Sequence, residues 1–110
     1  MKDRDSLYVL RDVIRERRKS PQEGSYTCYL FDQGLDKILK KCGEENAEMI
    51  IAAKNNSKEE LAGEISDLFY HILVMMEEKE IPLEMVMDIL EERSQKIGNL
   101  KTFHKVDRNS

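Results

Sequence analysis

Apolar residues recur along this chain at the three- and four-residue spacing of amphipathic helices, and no segment keeps strand-like alternation for long. The first segment places its apolar residues on one helix face: Leu7, Leu10, Val13 and Ile14. Ser6 is the predicted N-cap, because a serine hydroxyl there can accept a hydrogen bond from a free backbone N–H. Ser20-Pro21 should end this helix, since a residue before proline disfavours the helical conformation.

Capping and turn residues predict four more helices, at about 25–34, 35–55, 57–78 and 82–96. Ser25 opens the short helix, and Gly34 can close it. Ser57 caps the second long helix, with Glu60 at the capping-box position. Because short connections favour antiparallel neighbours, the expected fold class is all-α, an antiparallel helical bundle.

Composition narrows the class of protein further. The chain has 110 residues, the length of one domain, which we place at 1–97 with a polar tail at 98–110. A net charge of −4 argues against nucleic-acid binding, and no apolar run is long enough for a membrane span. Cys28 and Cys42 form neither a disulfide framework nor a metal-ligand pair, and the first ten residues lack the uncharged core of a signal peptide, so we expect a cytoplasmic protein.

Acidic residues occur on the apolar side of the first long helix, where a purely solubilising acid is not expected. Glu45 falls at the edge of the apolar stripe, and Glu44 and Glu48 lie on its shoulder. The stripe itself consists of Leu35, Ile38, Leu39, Cys42, Met49, Ile50 and Ala53.

The second long helix is apolar nearly all round over 65–76, which is typical of a helix buried on most sides. Asp67 and His71 lie inside this run, and Glu64 continues the same side towards the N-terminus. An unpaired buried carboxylate costs several kcal/mol at least, so such a group must be ion-paired, metal-bound or exposed to a wet cleft. An antiparallel pairing of the two long helices would bring four carboxylates together: Glu45, Glu48, Glu64 and Asp67.

Four carboxylates at close range are stable only around cations, and oxygen ligands select a hard cation. Mg²⁺ fits best, because it keeps waters and is usually completed by phosphate oxygens. Lys37, Lys41 and Lys54 lie nearby in the sequence and could bind the remaining phosphate charge. The combination indicates phosphoryl or nucleotidyl chemistry.

Each of these features also has a simpler interpretation. In a chain with 36% charged residues, closely spaced acids arise easily on solvated helix faces. Lys37 and Lys41 could be ordinary ion-pair partners of neighbouring acids. His71 alone is more readily explained as a core histidine that bonds a backbone carbonyl or Asp67.

One set of residues resembles the phosphoribosyl-ATP pyrophosphohydrolase family, within the all-α (MazG-like) nucleoside triphosphate pyrophosphohydrolases. The acidic spacings alone indicate only this wider superfamily, whereas the 25–27 loop and the 66–71 string single out the family. The matching residues are 24–27, Leu30, Gly34, Lys37, Ile38, 41–45, Glu48, 64–71, Val86, Leu90 and Arg93.

The resemblance implies the second step of histidine biosynthesis, the Mg²⁺-dependent hydrolysis of 1-(5-phosphoribosyl)-ATP to 1-(5-phosphoribosyl)-AMP and pyrophosphate. Glu45, Glu48, Glu64 and Asp67 are then the expected metal ligands. Glu44 or Glu45 is the candidate for orienting or deprotonating the attacking water. The candidate substrate-binding residues are Arg17, Ser25, Tyr26, Thr27, Lys37, Lys41, Lys54, His71 and Arg93.

We also expect a homodimer, because the 65–76 run is too apolar for a small monomeric bundle to cover, and the resemblance implies the same. Two alternatives remain open. One is a house-cleaning pyrophosphohydrolase that acts on free non-standard nucleoside triphosphates. The other is a non-enzymatic helical assembly module whose acids are merely solvated.

Overall fold

The computed structural model describes residues 5–97, which fold into five α-helices with no strand among them. The helices are α1 (Ser6–Lys19), α2 (Tyr26–Gln33), α3 (Leu35–Lys54), α4 (Lys58–Glu78) and α5 (Leu83–Ile97). The predicted all-α class is therefore confirmed. The predicted polar tail at 98–110 lies outside the described residues.

The helix caps follow the sequence closely, with one correction. Asp5, not Ser6, is the N-cap of α1, and its carboxylate accepts from the Leu7 N–H at 3.2 Å. Aspartate caps as well as serine does, and its negative charge also favours the helix N-terminus. Ser25 and Ser57 cap α2 and α4 as predicted, each accepting from the backbone N–H three residues on at 3.1 Å.

Gly34 is the single residue between α2 and α3. Its φ of 95° lies in the region that glycine adopts readily and other residues rarely do. Its N–H donates to the Leu30 carbonyl at 3.0 Å, and its own carbonyl accepts from the Ile38 N–H at 3.1 Å. This one residue therefore ends α2, begins α3 and turns the chain sharply between them.

Helices α3 and α4 form an antiparallel hairpin around the short connection at 55–57. The Cys42 thiol lies 3.4 Å from the His71 carbonyl, and farther along the pair Glu48 of α3 lies beside Glu64 of α4. Later residues of α3 thus meet earlier residues of α4, as the antiparallel prediction requires.

The hydrophobic core lies at the end of this hairpin away from the 55–57 connection. Ile14, Leu30, Ile38 and Val74 are its fully buried side chains, so α1 to α4 each contribute one. Leu83 extends the core to the first turn of α5. Each such side chain contributes about 1.5–3 kcal/mol when it is fully buried, so this end anchors the fold.

Several predicted core-facing residues are instead exposed. Val13 of α1 is 44% exposed, and Leu39 and Ile50 of α3 are 43% and 53% exposed. In α5, every residue from 88 to 97 is exposed, including Ile89 and Leu90. The buried line of α3 runs through Ile38, Glu45 and Ala52, so one copy of the chain covers only part of the predicted apolar side. No helix among residues 5–97 has the length and apolar character needed to cross a membrane.

Candidate active site

Three carboxylates meet between α3 and α4. One oxygen from each of Glu45, Glu48 and Glu64 lies within 4.8 Å of the other two. Glu45 is only 8% exposed, Glu64 is half-buried and Glu48 is exposed, so the cluster runs from the helix interface to the surface. The hairpin register thus brings together three of the four predicted metal ligands.

Two oxygens of this cluster are buried without a hydrogen-bond partner among the described residues. They are Glu45 Oε1 and Glu64 Oε1. A buried carboxylate oxygen left unpaired is costly, because burial removes its water and nothing replaces it. Two such oxygens within reach of a third carboxylate fit the oxygen ligands that Mg²⁺ prefers.

The charges in the cluster repel one another. Burial raises the pKa of the Glu64 carboxyl, and the neighbouring charges of Glu48, Asp67 and Glu45 raise it further. Without a cation, Glu64 therefore holds its proton to a higher pH than an ordinary glutamate. A divalent cation would offset the part of this shift that comes from charge, because it neutralises the surrounding carboxylates.

Lys41 neutralises the cluster on one side only. Its Nζ lies 3.2 Å from Glu44 Oε1 and 3.8 Å from Glu45 Oε2. The simpler interpretation of Lys41, as an ion-pair partner of nearby acids, therefore describes its position here. The ammonium lies beside Oε2 of Glu45 and not beside the unpartnered Oε1. Oε1 therefore stays available to a cation.

Asp67 is exposed and lies outside the group of three, which corrects its predicted burial. The reason is that α4 is covered on fewer sides here than its composition suggested; Phe69, two residues on, is also 48% exposed. Asp67 still lies near enough to raise the pKa of Glu64. It therefore borders the cluster from the solvent side.

His71 is 6% exposed, and both of its ring nitrogens have partners within the chain. Nδ1 lies 2.8 Å from the backbone carbonyl of Asp67, and Nε2 lies 3.1 Å from the Tyr26 hydroxyl. This is the arrangement of a satisfied core histidine, bonded to the backbone of Asp67 and not to its carboxylate.

A cleft of about 780 Å³ opens where the end of α1 meets the start of α2. Three of the predicted substrate-binding residues line it: Arg17, Ser25 and Tyr26. Thr27 lines a smaller neighbouring cavity of about 350 Å³, which shares Arg17 and Ser25 with the cleft. The α1–α2 connection thus gathers the predicted N-terminal substrate residues in one place.

Other residues of this region were not predicted from the sequence. Arg18, Tyr29 and Phe31 also line the cleft. Tyr70, next to His71 on α4, is hydrogen-bonded to the Thr27 hydroxyl. The three-residue spacing of Tyr26 and Tyr29 was the available signal for Tyr29, because it places both rings on one side of α2.

The remaining predicted cations are Lys37, Lys54 and Arg93. Lys37 sits over the Tyr29 ring, 5.8 Å from its centroid, beside the cleft. Lys54 is exposed in the last turn of α3, and Arg93 is in the exposed part of α5. Neither Lys54 nor Arg93 forms an ion pair with a carboxylate among residues 5–97.

The helical hairpin and its carboxylates define an all-α enzyme domain with an acidic site beside an arginine- and tyrosine-lined cleft. The chain belongs to the phosphoribosyl-ATP pyrophosphohydrolase family, whose model matches residues 7–94. It is 55% identical to the phosphoribosyl-ATP pyrophosphatase of Clostridium botulinum (strain Kyoto / Type A2), over 92% of this chain and 89% of that protein. The protein of the same name from Bacillus mycoides (strain KBAB4) is 50% identical, over 94% of this chain and 96% of its own. That of Listeria innocua serovar 6a is 57% identical, over 84% and 88%.

Proposed function

We propose that this chain hydrolyses 1-(5-phosphoribosyl)-ATP to 1-(5-phosphoribosyl)-AMP and pyrophosphate, the second step of histidine biosynthesis, and that it uses Mg²⁺ in the cytoplasm. The family membership and the names of the relatives support the reaction. The observation that carries the metal requirement is the pair of buried, unpartnered oxygens on Glu45 and Glu64.

Glu45, Glu48 and Glu64 would hold the metal, and Asp67 would complete the set from the exposed side. When bound, Mg²⁺ supplies positive charge to the triphosphate oxygens and helps to orient the attacking water. The carboxylates fix the place of that charge, because their helices are held in register by the buried core next to them.

Glu44 is the residue we assign to orienting or deprotonating the water that attacks the α-phosphorus, with Glu45 as the alternative. Glu44 is exposed, and its Oε1 is held 3.2 Å from Lys41 Nζ. A phosphate group that attracts the Lys41 ammonium would release the Glu44 oxygen for the water. Proton transfer to a positioned carboxylate of this kind typically contributes about 10²–10⁴-fold in rate.

The substrate would extend from the carboxylates into the cleft. A volume of about 780 Å³ lies within the range of ligand sites, roughly 300–1,000 Å³. Arg17 supplies positive charge at the cleft, Ser25 borders it, and the Tyr26 ring offers a flat apolar surface. Lys37 and Lys41 flank the path between the two places, while Lys54 and Arg93 would add phosphate contacts from farther away.

The test is an assay of pyrophosphate release from phosphoribosyl-ATP, run beside a panel of ordinary and non-standard nucleoside triphosphates, with and without Mg²⁺. We expect phosphoribosyl-ATP to be the preferred substrate by a wide margin in kcat/KM and activity to vanish on chelation. A preference for free triphosphates would indicate the house-cleaning alternative instead. No turnover of any substrate would contradict the proposal.

A homodimer is the second part of the proposal. Large apolar side chains remain exposed on every described helix. Those on α3 to α5 include Leu39, Ile50 and Ile51 of α3, Phe69 of α4, and Met85, Ile89 and Leu90 of α5. A monomer rarely leaves so many large apolar side chains in water, and a second copy can cover them symmetrically. Two such chains would together form a larger helical bundle.

A further inference from the structure

We propose that the hydroxyls of Tyr26 and Thr27 act as positioning groups: through His71 and Tyr70 they fix the first turn of α2 on α4. They thereby set the tyrosine-lined wall of the cleft against the carboxylates. This inference rests on the proposed function. It assigns these hydroxyls to the protein's own hydrogen bonds instead of to the substrate.

The contact between Tyr26 and His71 has a defined direction. Nδ1 of His71 lies 2.8 Å from the Asp67 carbonyl oxygen, which can only accept a hydrogen bond, so Nδ1 carries the proton. In the neutral ring Nε2 then has a lone pair and accepts from the Tyr26 hydroxyl at 3.1 Å. Burial raises the pKa of that hydroxyl, so it keeps the proton that it donates.

A second contact lies beside the first. The Thr27 hydroxyl is hydrogen-bonded to the hydroxyl of Tyr70, which is half-buried. Two consecutive residues of α2 are thus bound to two consecutive residues of α4. Two adjacent hydrogen bonds restrict rotation as well as separation, which a single bond cannot do.

The aromatic rings show which side of Tyr26 remains available. Its ring is inclined by 29° to that of Tyr70, with centroids 6.2 Å apart, and lies edge-to-face with the His71 ring, with centroids 5.8 Å apart. The residue as a whole is still 44% exposed and lines the cleft. Its hydroxyl therefore points into the protein while part of its ring faces the cleft.

The pairing also connects the cleft to the metal-ligand helix. His71 lies on α4 two turns after Glu64, and its Nδ1–H bonds the carbonyl of Asp67 between them. These hydrogen bonds consequently fix the position of the Tyr26 ring relative to α4, the helix that carries Glu64. A substrate that spans cleft and carboxylates can contact both only when this spacing is fixed, so a displaced Tyr26 ring loses its contact and substrate binding weakens.

The experiment removes each hydroxyl without changing the shape of the side chain: Tyr26→Phe, Thr27→Val and the double variant. Steady-state kinetics on phosphoribosyl-ATP should show KM raised about tenfold in the single variants, as expected for the loss of one hydrogen bond, with kcat changed less than twofold. The KM of the double variant should rise by less than the product of the two single-variant increases, because both hydrogen bonds hold the same turn of α2. Tyr8→Phe is the matched control, since it loses a hydroxyl on α1 outside the cleft and should behave as wild type.

Two measurements separate positioning from direct substrate contact. Nitrogen NMR of His71 without substrate should show the proton on Nδ1 and a shift of Nε2 in Tyr26→Phe. Hydrogen exchange of the Cys28 amide, which donates to Ser25 Oγ at 3.1 Å, should speed up in both single variants. His71→Gln, whose amide oxygen can accept from Tyr26, should keep a lower KM than His71→Leu.

Each result decides the inference. A raised KM with unchanged His71 nitrogens and unchanged Cys28 exchange would show that the hydroxyls contact substrate directly, which overturns it. Wild-type KM in the double variant overturns it as well. If the unaltered protein does not turn over phosphoribosyl-ATP, the proposed function fails, and the NMR and exchange results in the free protein still decide whether the hydroxyls position α2.

Discussion

At the scale of single residues, the balance between burial and charge in the carboxylate cluster determines what the site can bind. Glu45 and Glu64 each bury an oxygen that no described group satisfies, while Lys41 reaches only the other oxygen of Glu45. Repulsion between these carboxylates destabilises the folded protein when no cation is bound, and a cation that binds the folded protein stabilises it. The measurable consequences therefore concern both turnover and folding.

Replacing Glu48 by Gln should lower kcat/KM by about 10²-fold or more, because loss of one ligand forfeits several kcal/mol of charge stabilisation in the transition state. Glu48 is exposed, so the helical circular dichroism spectrum should stay unchanged. Glu16→Gln, the same change at an exposed position on α1, is the control and should retain activity. Asp67→Asn tests the fourth predicted ligand in the same way. Near-normal activity of Glu48→Gln under Mg²⁺ would show that the metal site is assigned wrongly.

The raised pKa of Glu64 predicts how stability depends on pH in chelator. The folded chain binds this proton more tightly than the unfolded chain, so the stabilisation is complete below the ordinary glutamate pKa and is lost as pH rises through the raised value. Melting temperatures should show this fall in the metal-free protein relative to Glu64→Gln, which lacks the titrating group. Comparison with the variant is needed because Glu84 has a lowered pKa and gives the opposite slope.

Added Mg²⁺ should raise the melting temperature at neutral pH and lose this effect as pH falls, since protons and metal compete for the same oxygens. The increase should be smaller in Glu64→Gln. A melting temperature that does not respond to Mg²⁺ at neutral pH would show that the folded carboxylates do not hold the metal.

At the scale of the helices, the sequence predicted most boundaries because caps and turns are local. Ser25, Gly34 and Ser57 each act within three or four residues, so their roles can be read without the rest of the chain. The error at the start of α1 arose from two adjacent residues that can both cap, Asp5 and Ser6. Periodicity also placed Glu45 at the edge of the apolar side, and in the structure it is buried.

The turn between α4 and α5 offers a test of local backbone strain. Glu80 has a φ of 57°, and the Ile81 N–H donates to the Met76 carbonyl at 2.8 Å, which closes the end of α4. Glycine at position 80 should relieve about 1–2 kcal/mol of left-handed strain while costing about 0.5–1 kcal/mol of chain entropy. Glu80→Gly should therefore stabilise the fold by roughly 0.5–1 kcal/mol in urea unfolding.

Lys79→Gly is the matched control for this change, because Lys79 has an ordinary φ of −91° and offers no strain to relieve. It should destabilise the fold by about 0.5–1 kcal/mol. If Glu80→Gly destabilised the protein to the same extent, the left-handed conformation would not be a cost to this turn.

At the scale of the whole molecule, the sequence predicted the carboxylates of a single helical hairpin better than it predicted clefts and surfaces to which several helices contribute. Three of the four acids converge because one hairpin register fixes them. The cleft depends on how the end of α1 meets α2, and no residue spacing encodes that angle. Exposure of Val13, Leu39 and Ile50 was missed for a related reason: spacing shows that a side is apolar but not which surface covers it.

The proposed homodimer gives these exposed residues a role, and it can be tested without reference to activity. Leu90 is 54% exposed in one copy and lies on the part of α5 that the chain leaves uncovered. Completing the burial of Leu90 in both copies contributes about 1.5–3 kcal/mol in total, and an unpaired glutamate buried in its place adds a further cost, so Leu90→Glu should weaken dimerisation about 10²-fold. Sedimentation velocity at micromolar concentration should show a dimer for the unaltered protein and a monomer for this variant. Asp88→Asn, an exposed polar change on the same helix, should leave the dimer intact. A monomeric unaltered protein under these conditions would contradict the homodimer, because the exposed side chains would then remain in water.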